Sequence, residues 1–369
     1  MSSAPSSPAA ADSPAAEPTS ATAPSPETIT SVTAAPVNTS SSGLLEVDPA
    51  ILANTATSDY ESAGYVTTTA SLSSSINEYI FENGRRYHAY FGADKNFLPT
   101  DEKEQDRMDL HHEILLQVMD ERLFIAPVQE PNRILDIGTG TGIWAIDVAD
   151  QFPGAEVIGT DLSPIQPAWV PPNCRFEVDD ADLEWTFKKE SFDFIHSRNL
   201  IPGIGDWQKL VRQMYDACTP GGFVEIGELG ATLHSDDGTM SKTNGLKIHM
   251  DLCREAMIKI GRPFPESEQW IRDLLINAGF VDVRTESFKE PIGPWPKERR
   301  KKQIGAMVLL QSEAGLEAYG MAPLTRILDM PQEEAHKVFV EAHKAVKNKN
   351  YHTYNFFHVG YGRKPRSGE

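Results

Sequence analysis

No lysine or arginine precedes Arg85, and only three cysteines, Cys174, Cys218 and Cys253, occur in 369 residues. The cysteines are odd in number and widely spaced, with no CxxC pair and no histidine pair at zinc spacing. They are expected to be buried reduced thiols, which excludes a disulfide framework and a metal site. Apolar runs stay far below the about 20 residues of a membrane span, so no span is expected. The opening residues MSSAPSSPAA lack a basic segment and an apolar core, so neither a secretory signal nor a mitochondrial transit peptide is expected, and a cytoplasmic or nuclear protein is. A P-loop (GxxxxGK[ST]) and a GxSxG elbow are also missing.

The deficit of basic residues has consequences of its own. With 34 Lys+Arg against 53 Asp+Glu the net charge is −19, a sign that repels phosphate backbones and disfavours nucleic-acid binding. The stretch before Arg85 contributes −9 and the rest −10, so the folded part is only mildly acidic. The first 42 residues hold 11 Ser, 10 Ala, 7 Pro and 6 Thr. Such a segment has almost nothing to bury, and a disordered tail is expected to about residue 58. Its Ser-Pro sites at Ser7, Ser13 and Ser25 suit either phosphorylation or a passive tail. The basic run Lys297 to Lys302 suits a nuclear-import patch or a solvated helix start.

Hydrophobic residues make up 40% of the chain, enough for a core. INEYIFENGRRYHAYF (76–91) is aromatic at helical spacing, with Ile76, Tyr79, Ile80 and Tyr87 on one face. Asp101 with Glu104 reads as a capping box opening a helix to about Phe124, with Met108, Leu115, Val118 and Met119 as its core stripe. The spacing thus predicts a helical lid region over 76–125 and a larger domain over 126–369. In that domain strand and helix signals alternate, the pattern of a parallel α/β sheet. Strands are expected at 133–138, 156–160, 174–178, 192–196, 223–227, 281–288 and 354–361. Helices are expected at 141–152, 206–218, 239–260 and 266–278, and a helical insertion at about 297–347.

The chemistry-bearing motif is Asp136-Ile-Gly138-Thr-Gly140-Thr-Gly142, placed between a strand and a helix. Its glycines let backbone approach a ligand, and the helix start offers free N–H groups. A dinucleotide fingerprint needs a glycine where Ile143 stands, whereas the DxGxGxG turn of S-adenosylmethionine enzymes is matched. Asp161, at the end of the second strand, is placed to accept hydrogen bonds from ribose hydroxyls. Asp180 and Ala181, after the third, are placed for an adenine amino group and ring face. Acids at 136, 161 and 180 suit a cationic sulfonium and would repel a pyrophosphate.

These residues carry a resemblance. The run from Arg133 to Phe187, with NGRRYHAY (83–90), DEKEQDRMDLHH (101–112), PIGPWP (291–296) and APLTR (322–326), resembles the fungal LaeA-like methyltransferases over about residues 76–363. The resemblance implies a seven-stranded class I (Rossmann-like) fold and S-adenosyl-L-methionine as cofactor. It implies a role in secondary metabolism, by methylating a small molecule or by regulation through protein partners or protein methylation. NGRRYHAY is similar to the branch often found near biosynthetic genes.

Methyl transfer from a sulfonium needs alignment and exclusion of water, and a base only when the acceptor atom carries a proton to lose. His196, at a strand end, is the candidate base or acceptor-positioning group, with packing or cofactor orientation as its alternative. Tyr87, His88, Arg85 and Arg86 are candidates for a lid over the cofactor, with an arginine on the methionine carboxylate, or for packing on the sheet. Arg198 is a second candidate for that carboxylate, and Glu225, Glu228 and His234 are candidates for contact with the acceptor.

Overall fold

The computed structural model describes residues 78–369 except 93, 94 and 263. The Ser/Pro/Ala/Thr-rich stretch 1–58 and Ile76 lie outside the described residues.

The first described element corrects the sequence expectation. Residues 79–88 form a hairpin, β1 (Tyr79–Glu82) and β2 (Arg85–His88), and not a helix. Asn83 and Gly84 have φ of 52° and 77°, the two-residue turn whose twist matches paired strands, and Asn-Gly is its strongest sequence signal. The aromatic spacing that suits a helix also suits cross-strand pairing: Tyr79 lies opposite His88, with the rings edge to face at 5.8 Å.

The hairpin is tied to the next helix, α1 (Glu102–Val118). Arg85 reaches Asp101 in a two-pronged contact, Nε to Oδ2 at 2.8 Å and Nη2 to Oδ1 at 2.9 Å, while Asp101 caps α1 by accepting from the Glu104 N–H. Half of the expected capping box is present, because the Glu104 side chain turns to Arg107 instead (2.8 Å). The helix stops before the expected Phe124, where Asp120 and Glu121 both take φ of 59°.

Next come β3 (Arg133–Ile137), α2 (Ile143–Gln151), β4 (Glu156–Asp161), β5 (Cys174–Val178), β6 (Phe192–Arg198), α3 (Trp207–Ala217) and β7 (Cys218–Leu229). They are followed by α4 (Gly245–Lys259), α5 (Glu268–Ala278) and β8 (Val281–Ile292). The expected helical insertion is two helices, α6 (Arg299–Ala322) and α7 (Gln332–Lys347), joined through a π-helical turn, Pro323–Ile327; β9 (Thr353–Arg363) ends the fold. Pro323 has no N–H to continue the α ladder, and the turn widens so that the Leu328 N–H reaches the Pro323 carbonyl. The basic run opens α6, where Arg300 pairs with Asp120 and Lys301 with Glu298.

The seven strands lie in the order β5-β4-β3-β6-β7-β9-β8. The sheet has the seven strands expected, and only β9 runs against its neighbours. One face is packed by α3 and α5 through Leu210, Val211, Met214, Ile271 and Leu275, all essentially inaccessible. The other holds Trp144, Ala145 and Val148 of α2 against Ile134 and Phe194. Chain order reverses between β3 and β6, and the crevice at their C-terminal ends is where such sheets bind ligands.

Candidate active site

A cleft of about 200 Å³ opens over that crevice. Its floor is made by the strand ends. Register pairing sets Asp136 of β3 beside His196 of β6, and the His196 Nδ1 lies 2.8 Å from Asp136 Oδ1. The other Asp136 oxygen accepts from Thr139 Oγ1 at 2.6 Å. The imidazole lies flat on Trp144, 3.7 Å between centroids and 7° between planes. Burial lowers the His196 pKa against the pull of Asp136, so the ring is neutral at pH 7, donating from Nδ1.

The glycine turn is held from below by Asp161, whose Oδ2 accepts from the Gly140 N–H (2.8 Å) and Oδ1 from the Ser163 N–H (2.9 Å). Burial raises the Asp161 pKa to about 6. Gly138, Gly140 and Gly142 all have positive φ, between 59° and 83°. Gly138 and Gly140 line the cleft; Gly142 does not, and serves instead to turn the chain into α2, against Phe176. Asp180 and Ala181 reach the cleft wall, but Asp180 is already engaged, by the Asp182 N–H at Oδ1 (2.9 Å) and by Lys95 Nζ at Oδ2 (3.1 Å).

Arg198 also lines this cleft. Its Nη2 donates to His112 Nδ1 at 3.0 Å, and His112 Nε2 donates to Asp147 at 2.9 Å. Burial lowers its pKa to about 10, which still leaves it charged, and it makes no ion pair among the described residues. Three anionic strand ends, one uncompensated guanidinium and the apolar side chains Leu162, Ile165 and Ala181 therefore share one cleft. That is the complement of a molecule with a sulfonium, sugar hydroxyls, a flat base and a carboxylate, and it fits S-adenosylmethionine.

A family model described as a methyltransferase domain matches residues 110–285. The chain is 40% identical to the methyltransferase pytC of Aspergillus terreus over 269 residues, 72% of this chain and 81% of that protein. It is 37% identical to the secondary metabolism regulator LAE1 of Cochliobolus heterostrophus, over 79% of this chain and 96% of that one. It is 33% identical to the protein-methionine methyltransferase laeA of Emericella nidulans, over 80% and 79%. The chain belongs to the fungal LaeA-like methyltransferases. It is an S-adenosylmethionine-dependent methyltransferase with the class I fold.

Several sequence-predicted residues of this LaeA-like enzyme lie elsewhere. Tyr87 does not line the cleft; it packs against Phe97, Met257 and Ile327 beneath the Arg326 guanidinium, 4.6 Å from its ring. Arg85 is spent on Asp101 and Arg86 on Glu102 and the Thr100 carbonyl, so neither arginine, nor His88, forms part of the cleft lining. Glu225 accepts the Ile125 and Ala126 N–H groups (2.8 and 2.7 Å), anchoring the chain after α1 under the sheet. His234 bridges by backbone to Tyr354 and lines no cavity described here.

Glu228 lines a second cavity, of about 170 Å³, bounded by β7, β8, α4 and α6. His111, Asn199, Pro202 and Tyr319 border both cavities. Arg107 and His111 of α1 escaped the sequence reading; their signal was two polar residues four apart on the face that also carries the core stripe. Tyr319 had none, because nothing local distinguishes it within α6.

The Glu228 carboxyl, raised by burial to about 8, gives a stability test. The folded protein keeps a proton that the unfolded chain releases near pH 4.3, so stability falls as pH climbs from about 4 to 8. Glu228→Gln keeps the carbonyl that accepts from the Leu200 N–H. In thermal melts it is expected to exceed the parent by ~5–10 °C at pH 8 and to converge on it at pH 5. An equal gap at both pH values contradicts a protonated Glu228.

Proposed function

We propose that this enzyme methylates a small, largely apolar molecule held in the second cavity. The observation that carries the proposal is the shared wall: an apolar pocket meets the cofactor cleft at Asn199 and Tyr319. When bound, S-adenosylmethionine supplies an electrophilic methyl group. Asp161 orients the ribose, and Arg198 takes the methionine carboxylate. Asp136, Gly138 and Gly140 shape the floor, while Asp180 with Lys95 and Ala181 frame the base. His196 borders the cofactor cleft alone, so we assign it to holding Asp136 and the Trp144 face in place and not to taking a proton from the acceptor.

The likeness to the protein-methionine methyltransferase laeA of Emericella nidulans supports a second reading, in which a protein methionine is the acceptor. One experiment separates the two. The full-length protein is incubated with methyl-labelled cofactor and extract of the cells that produce it, and the products are split into acid-precipitable and soluble fractions. Label in an organic-extractable small molecule is the expected result. Label confined to protein overturns the proposal in favour of the second reading, and no label in either fraction overturns both.

A further inference from the structure

The second cavity contains a pair of polar groups that the fold does not use. Glu290 of β8 and Asn355 of β9 are directly opposite in the strand register, and both line this cavity and not the cofactor cleft. They are 3% and 5% exposed. Among the described residues the Glu290 carboxyl has no hydrogen-bond partner, and Asn355 Oδ1 is buried without one. Buried polar groups are normally satisfied by the protein, and two neighbouring exceptions on one pocket wall are costly unless a ligand completes them. Burial alone accounts for the Glu290 pKa of about 7, which is what an unpartnered carboxyl should show. The surroundings are apolar, with Leu246, Ile292, Val308 and Leu316 on the same walls.

We infer that Glu290 and Asn355 together recognise a hydroxyl group on an otherwise apolar acceptor, the hydroxyl donating to Asn355 Oδ1 and accepting from the protonated Glu290 carboxyl. The inference rests on the second cavity being the acceptor pocket. A protonated carboxyl beside an amide oxygen offers a donor next to an acceptor, and a hydroxyl is the smallest group that matches both. A cavity of about 150 Å³ takes up one benzene ring, so this one accommodates a substituted ring. Because the pair does not border the cofactor cleft, the hydroxyl it reads is an anchor and the methylated atom is a different one.

The test uses two probes of nearly equal shape, 4-propylphenol and propylbenzene, titrated into the full-length protein saturated with S-adenosylhomocysteine and followed by ligand-observed NMR. The parent is expected to bind the phenol about tenfold more tightly. Glu290→Leu and Asn355→Leu are each expected to cut that preference to about threefold or less, with propylbenzene binding kept or strengthened. Both variants remove an unpaired buried polar group and are expected to melt at or above the parent temperature, which guards against a folding defect. Equal binding of both probes by the parent overturns the recognition pair and leaves the pocket standing, as does a parent preference that survives both substitutions. If neither probe binds while S-adenosylhomocysteine does, the acceptor-pocket reading falls, and the inference falls with it.

Discussion

Asp161→Ala is expected to weaken cofactor binding at least about a hundredfold and to reduce labelled methyl transfer by more. The carboxylate holds the Gly140 and Ser163 N–H groups, which fix the glycine turn, and in the proposed function it also accepts from the ribose hydroxyls. Alanine leaves both N–H groups without a protein partner. Asp161→Asn keeps an acceptor but no charge, and falls between the two. The pKa of about 6 adds a sign. Below pH 6 the carboxyl is protonated, loses its attraction for a cationic ligand and accepts hydrogen bonds less well, so parent affinity declines as pH drops through 6. The Asn variant shows no such decline. Cofactor titration at pH 5, 6 and 7.5 checks both statements, and an unchanged dissociation constant in Asp161→Ala removes this residue from the site.

Gly142→Ala is expected to cost on the order of 3 kcal/mol, a fall of ~6–12 °C in melting temperature, and to lower cofactor affinity with it. Two effects add. A φ of 83° strains any residue with a Cβ, and that Cβ would lie 2.3 Å from Phe176 Cζ. The same ring also packs beside Gly159, where another Cβ would be 2.7 Å from Phe176 Cδ1. Either the turn or the ring must move. A melt and a cofactor titration decide the matter: parent-like values in both would mean that the turn tolerates a side chain.

How legible this was in the sequence differs by element. Strands β3, β4 and β6 were readable because each is a short apolar run closed by Gly, Asp or a turn, and the place of Asp136, Asp161, Asp180 and Ala181 on the cleft was readable because they stand at or just after strand ends, where α/β sheets bind ligands. The hairpin was misread because apolar residues at 79, 80 and 87 satisfy a helical period and a cross-strand pairing alike; Asn83-Gly84 decides between them, and turn chemistry outranks periodicity there. Tyr87 followed the same error into the site. The second cavity was unreadable for another reason. Its walls come from residues as far apart as His111, Glu228, Tyr319 and Asn355, and only the antiparallel entry of β9 beside β8 sets Glu290 against Asn355.

The two cavities draw on the chain differently. The stretch that matches the methyltransferase domain model ends at residue 285 and holds most of the cofactor-cleft lining, while Lys95, Phe97, Thr100, Arg107, Met108 and Tyr319 lie outside it. Glu290, Ile292, Val308, Leu316 and Asn355 lie beyond it. Glu228, Leu246 and His249 complete the second cavity from within that stretch, so its wall mixes residues of both segments. Substitutions confined to β8, α6 and β9 can therefore reshape this cavity while the glycine turn stays as it is, so a shared family membership leaves room for divergent chemistry.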